Sequence, residues 1–119
     1  LLVKDVTMFD EGMTLTVTTR AQAIEAGDLV NVTRLAFPVG FTVPIAITNG
    51  VFEKVLGSPT DDAVTNSFLV FVLAQVRERG KMDGPIMEFR FRGSGTLWLH
   101  AGPGDRGSMV MTIMFPEEY

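Results

Sequence analysis

The chain has no cysteine at all. That excludes disulfides, thiolate nucleophiles, cysteine zinc sites and iron–sulfur clusters. It fits a reducing compartment, although many secreted bacterial proteins also lack cysteine. There is one histidine, so a two-histidine metal site within one chain is excluded. No apolar run approaches the roughly 18 residues that a spanning helix needs. No polybasic run, low-complexity tract or repeat is present, and no signal peptide is visible, though the first residue is a leucine. The expectation is a cytoplasmic protein with no membrane partner.

What is there is the composition of a folded domain. Hydrophobic residues make up 46% and charged residues 20% of 119 residues, which is far from the disordered class. A chain of this length forms a core without metal or disulfide staples, so residues 1–119 read as a single domain. The net charge of −4 and the pI near 4.8 argue against a phosphate-backbone binder. An acidic nucleic-acid mimic would suit the charge, but the acids are not spaced like a phosphate track.

The pattern predicts an α+β fold. Leu1–Val6 and Met13, Leu15 and Val17 suit short strands, with residues 1–13 a strand or arm. Thr18 or Thr19 can cap a helix over Arg20–Ala26, which Gly27 ends. Leu29–Val32 reads as extended. Thr33 can cap a turn of helix over Arg34–Phe37, ended by Pro38 and Gly40. Phe41–Ile47 carries strand formers, but Pro44 lacks an N–H and argues for an edge strand or an irregular segment. Thr48 can cap a short helix over 49–56.

The strongest helix runs from Asp61 to Arg79. Thr60 is its expected cap, and Asp61 and Asp62 match the positive end of the helix dipole. Arg77 and Arg79 match the negative end, and Gly80 is the stop. Phe68–Ala74 is apolar all round, which predicts burial on more than one side.

The last third predicts an antiparallel meander of about three to four strands. Met87, Phe89 and Phe91 alternate with Glu88, Arg90 and Arg92 in residues 86–92. Leu97, Leu99 and Ala101 form the apolar set of 96–101, and Met109, Met111, Ile113 and Phe115 that of 109–115. Gly93–Gly95 and Gly102–Gly107 supply the turns. The apolar face should pack on the long helix, giving two layers.

The candidate chemistry is sparse. His100 could pair with Ser58, Ser67, Ser94 or Ser108, but none of these lies in a nucleophile elbow. Gly102-Pro103-Gly104-Asp105 could bring backbone N–H groups to an anion. It lacks the lysine and following helix of a P-loop, and its place between two strands makes a hairpin turn the reading to prefer. Asp61 and Asp62 could ligate a metal, but the helix dipole accounts for them. Glu117 and Glu118 read as a solvated tail. No residue pattern points to a cofactor.

The outer face of the meander is the more specific candidate. It would carry Glu88, Arg90, Arg92, Thr96, Trp98, His100, Val110, Thr112 and Met114. Aromatic, Met and Arg residues are enriched at recognition surfaces, so this is a candidate face for a protein partner or homo-oligomer. The alternative is that an N-terminal element covers it and Trp98 belongs to the core. Two functions stay open: a non-enzymatic interaction or accessory protein, and a small-molecule or anion-binding domain, enzymatic or not, built on His100 and the Gly102–Gly107 loop. The thin catalytic inventory leans away from an enzyme.

Three blocks carry a resemblance. They are Thr19-Arg20-Ala21-Gln22-Ala23-Ile24-Glu25-Ala26-Gly27-Asp28-Leu29-Val30-Asn31-Val32-Thr33, then Gly40–Thr48, then Ala101–Asp105 with Val110–Pro116. In this order they resemble a family of small uncharacterised bacterial proteins, a domain of unknown function often found on plasmids and phages. The resemblance spans about residues 18–118. Phe37-Pro38-Val39 departs from it, since relatives tend to be more helical there, and residues 1–13 have no counterpart. The resemblance implies a cytosolic, often mobile-element-borne protein and transfers no catalytic residue.

Overall fold

A computed structural model describes residues 19–80 and 84–119. The expected strands within residues 1–17 lie outside the described residues. The first described element is helix α1, Arg20–Ala26. Thr19 caps it by accepting from the Gln22 N–H, and the Gln22 side chain accepts from the Thr19 N–H in return. This reciprocal box satisfies two backbone donors that the helix itself cannot. Gly27 ends the helix at φ 88°, a left-handed conformation that costs glycine little.

Strand β1 is Leu29–Asn31 and leads into helix α2, Thr33–Val39. Here the expected threonine cap is corrected. Thr33 is inside the helix, and its N–H and hydroxyl both donate to the Asn31 side chain. Pro38 does not end the helix either: it sits within the last turn, and Gly40 stops the chain beyond it. The stretch that departs from the resembled family is thus helical.

Strand β2 is Ile45–Thr48. The edge-strand expectation is overturned, because β2 lies between β1 and the last strand, while the irregular alternative holds for residues 41–44 before the ladder. Pro44 falls just before the ladder, where its missing donor is not needed and its carbonyl accepts from Met111. Ile45, Ala46 and Ile47 are all fully buried, as a strand covered on both faces requires. Thr48 then caps helix α3, Asn49–Lys54, by accepting from the Val51 N–H, as expected.

The long helix, α4, spans Ala63–Arg79. Its start differs from the expected Thr60 cap. Asp61 and Asp62 precede the helix, and the Asp61 side chain accepts from the Ala63 N–H. Its end is as expected, with Arg77 and Arg79 in the last turn and Gly80 after it. Burial on more than one side is also corrected. Phe68, Leu69, Val72 and Leu73 are buried, whereas Val70 and Ala74 are exposed. None of the described helices is long and apolar enough to cross a membrane.

Strands β3 (Ile86–Arg90), β4 (Thr96–Pro103) and β5 (Met109–Met114) pair antiparallel in sequence order. They do not stand alone. β5 pairs parallel with β2, and β2 antiparallel with β1, giving a mixed five-stranded sheet of order β1-β2-β5-β4-β3. β3 ends two residues early, because Arg92 adopts φ 53° and Gly93 φ 84°. Positive φ at both central positions, closed by Ser94 N–H to Phe91 C=O, makes a tight turn that follows strand twist. β4 runs on to Pro103, so the β4–β5 connection is shorter than the expected Gly102–Gly107 turn.

One sheet face packs on α2, α3 and α4. Phe68 of α4 meets Phe91 edge-to-face at 4.8 Å, and Leu97, Leu99, Ile45, Ile47 and Ile113 complete a core of fully buried residues. Edge-to-face contact suits the aromatic quadrupole. The expected apolar sets hold here except Ala101, which is half-buried outside this core, and Met109, which is exposed at the strand end. The expected two layers are a third short. On the far face α1 packs through Ala23 against Leu29 and Ala46, a separate small core.

Candidate functional site

The far face of the sheet is where the sequence placed most of its candidates. β4 supplies Trp98 and His100, and β5 places Met114 opposite Trp98 and Thr112 opposite His100. By strand alternation these side chains point away from α4. They are not open to solvent. Thr112 and Met114 are buried, and Trp98 and His100 are half-buried.

Two elements close over them. From the C-terminus, Tyr119 stacks edge-on to Trp98 at 5.6 Å and lies 5.4 Å from His100. Glu118 anchors that turn: its carboxylate accepts from the Thr48 hydroxyl and from the Phe115 N–H, both at 2.8 Å. The tail is exposed as expected, and Glu118 ties it down. From the other side, the Arg20 guanidinium of α1 donates to the Thr112 hydroxyl and to the Met111 carbonyl, both at 2.7 Å. Burial pulls the Arg20 pKa down, partly offset by the negative charge of Asp105.

His100 lies inside this arrangement. A Cβ on Gly102 would stand 3.0 Å from the imidazole Cε1, so the ring leans over glycine on its own strand. Burial, followed by lesser effects that include the Arg20 charge, holds the His100 pKa below its ordinary 6.5. Neutral imidazole is the form this site favours.

The other sequence candidates are placed apart. Arg90 is exposed on β3, opposite Thr96. Arg92 is corrected: it has left the strand for the turn, where its guanidinium lies over the Phe91 ring at 5.0 Å. Gly102 is a ladder residue opposite Val110. The Gly104 N–H donates to the Ser108 carbonyl, and a Cβ at Gly104 would come within 2.8 Å of Val110. Tight chain packing thus accounts for this glycine. Asp105 carries a negative charge of its own. Its carboxylate accepts from the Arg20 and Ala21 N–H groups at the start of α1. Those two bonds hold its pKa below the ordinary 3.8. Of the serines, Ser67 is on α4, across the sheet from His100, and Ser94 and Ser108 are in turns. Asp62 is bound bidentately by Arg34. Among the described residues no cluster of three or more His, Asp or Glu converges as a metal site.

The second candidate surface is on the helices, and sequence reasoning missed it. Phe37 on α2 is 49% exposed, and Val64 and Val70 on α4 are 46% and 50% exposed. A shallow groove between the two helices is lined by Val39, Val70, Leu73, Ala74, Arg77 and Glu78. The signal was available. A helix that is apolar all round but packs on one side of a single sheet must leave some of that run outside. Arg20 and Tyr119 were missed as well. A cation in the first turn of a helix is disfavoured by the dipole, so Arg20 needed a tertiary partner.

No family model, curated protein or solved structure matches the chain.

Proposed function

We propose that this protein is a non-enzymatic interaction or accessory protein. The observation that carries the proposal is the half-exposed Val70 in an apolar groove between α2 and α4, lined with it by Val39, Leu73 and Ala74. Large apolar side chains grouped on one surface mark contact sites in folded proteins. The far sheet face with Trp98 supports the reading less well, since Tyr119 and α1 cover much of it. Arg90 remains a candidate on that face, and Arg92 does not. Net charge −4 keeps nucleic acid a poor partner. The cytoplasmic setting and kinship with plasmid- and phage-borne proteins belong to the same proposal, supported by the order of the three sequence blocks.

A photo-crosslinking residue placed at Val70, in cells expressing the protein, tests it. Protein adducts are expected from position 70 and not from position 109, whose methionine is equally exposed on a strand end. No adduct from position 70 would count against the helical face.

A second reading is a small-molecule or anion-binding domain centred on His100. It is favoured by the convergence of Arg20, Thr112 and His100 under Tyr119, rather than by the glycine loop. A thermal-shift screen with phosphates, nucleotides and sugars tests it, because a ligand of the folded state raises the midpoint. A shift that His100→Gln abolishes would support this reading.

A further inference from the structure

The two edges of the sheet differ. β1 is three residues long, and very short edge strands template little pairing. β3 is five residues long and pairs with β4 in unbroken register, so it carries no bulge. Its residues include no proline, and Met87 and Phe89, which point into the core, include no inward charge. Among the described residues nothing pairs with the outer side of β3. The charges it does carry, Glu88 and Arg90, are exposed on the far face and opposite in sign.

The ladder fixes which backbone groups that outer side offers. The Pro85 carbonyl accepts from the Ala101 N–H, so Pro85, Met87 and Phe89 turn their backbone groups toward β4. The N–H and C=O groups of Ile86, Glu88 and Arg90 therefore point outward. A second β3 laid antiparallel must oppose these same residues to exchange hydrogen bonds with them. A twofold axis at Glu88 or at Arg90 sets each of them against itself, like charge opposite like. An axis at Phe89 sets Glu88 opposite Arg90 of the second copy and Arg90 opposite its Glu88. Opposite charges facing each other across a ladder stabilise it, and like charges destabilise it.

The core side of the same edge is apolar. Phe71 of α4 lies 6.4 Å from the Phe89 ring and 5.0 Å from the Phe91 ring, and it is only half-buried. It sits on the β3 side of α4. Leu73, about 200° around the helix from it, faces α2, where a Cβ on Gly40 would come within 2.9 Å of its Cδ2.

We infer that β3 is the joining strand of a homodimer, in which a second copy adds its own β3 antiparallel with the twofold axis at Phe89. The sheet then continues from one molecule into the next. Each pair of Glu88 and Arg90 exchanges backbone hydrogen bonds and brings unlike charges together, and Phe71 of both copies flanks the axis on the core side. A twofold contact uses one patch on both molecules, and this patch carries both halves of the charge match. It shares no residue with the groove between α2 and α4, so crosslinking from position 70 tests the groove independently.

Sedimentation equilibrium of the full chain is the test. Wild type is expected at twice its 13.0 kDa mass. Glu88→Arg alone and Arg90→Glu alone should each run at the single mass, because each sets like charges opposite. An equimolar mixture of these two variants should return to the double mass, because one then presents two cations to the two anions of the other. Glu88→Pro removes an outward N–H that the β4 ladder does not use, which an edge strand tolerates. It should give the single mass with an unchanged far-ultraviolet spectrum. A wild type that stays monomeric up to about 100 µM, a concentration at which interfaces of ordinary affinity assemble, overturns the inference. So does a dimer that Glu88→Arg and Glu88→Pro leave intact. A dimeric wild type whose two charge variants stay at the single mass when mixed overturns the register at Phe89.

Discussion

The Asp105 carboxylate accepts the Arg20 backbone N–H at 2.8 Å, joining the β4–β5 hairpin to the first turn of a helix from the other end of the described chain. The Ala21 N–H donates to the same carboxylate at 2.9 Å. The Arg20 side chain meanwhile reaches Thr112 and Met111. One helix start is thus held to the hairpin through both backbone and side chain, and this closes the far face of the sheet.

The pH dependence of that tie follows from its sign. The folded-state pKa of Asp105 is depressed below 3.8, so its stabilisation is fully present above that value. It is lost as pH falls through the folded-state pKa. Asp105→Asn should lower the thermal midpoint at neutral pH and flatten the loss of stability below about pH 4. Thermal unfolding of both proteins between pH 2 and 7 checks this, and parallel curves would contradict it.

His100 contributes in a different window. Its folded-state pKa lies below 6.5, so the unfolded chain takes up the proton first as pH falls. Stability should be full above 6.5 and decline as pH drops through that value toward the folded-state pKa. The imidazole proton resonances, unique in this chain, should titrate below 6.5. His100→Gln should remove this part of the pH dependence.

Tyr119 shields the only tryptophan. Tyr119→Ala should shift Trp98 emission to longer wavelength and increase its quenching by iodide. Tyr119 is itself 69% exposed, so the stability change should be small, within about 0.5–1.5 kcal/mol for an aromatic pair. Unchanged emission would mean that Trp98 is covered by other residues.

Phe68 joins α4 to the sheet through its contacts with Phe89 and Phe91. Phe68→Ala removes a fully buried ring from the centre of the core. Denaturant unfolding should show a loss of about 3–5 kcal/mol, a large part of the stability of a domain this size. A loss under 1 kcal/mol would mean that the core closes around the gap.

Much of this was legible in local residue patterns. The caps at Thr19 and Thr48, the stops at Gly27 and Gly80, and the alternation of Met87, Phe89 and Phe91 act within a few residues of chain. Boundaries failed where a neighbour in space overrode them. Pro44 looked like an edge marker, yet it sits one residue outside a central ladder. Arg92 continued the alternation, yet the next glycines pulled it into a turn. Phe68–Ala74 suggested burial on more than one side, yet Val70 and Ala74 are left exposed on the face of α4 turned away from the core.

The candidate sites were less legible than the fold. Trp98 and His100 were named from one strand, but the residues that define their surroundings, Arg20 and Tyr119, come from opposite ends of the described chain. The exposed valines of α4 could be assigned to a surface only after the packing face was known.

By itself the sequence determined the α-helices in outline with the caps at Thr19 and Thr48, three consecutive strands, and a chain without thiols and with a single histidine. Short-range hydrogen bonding and side-chain period are enough for that. Tertiary structure decided the parallel β2–β5 pairing, the placement of α1 on the far face, the use of Asp105 as a tie, and which side of α4 stays in water. Each of these depends on contacts between distant segments, where loop closure and burial, rather than local preference, select the partner.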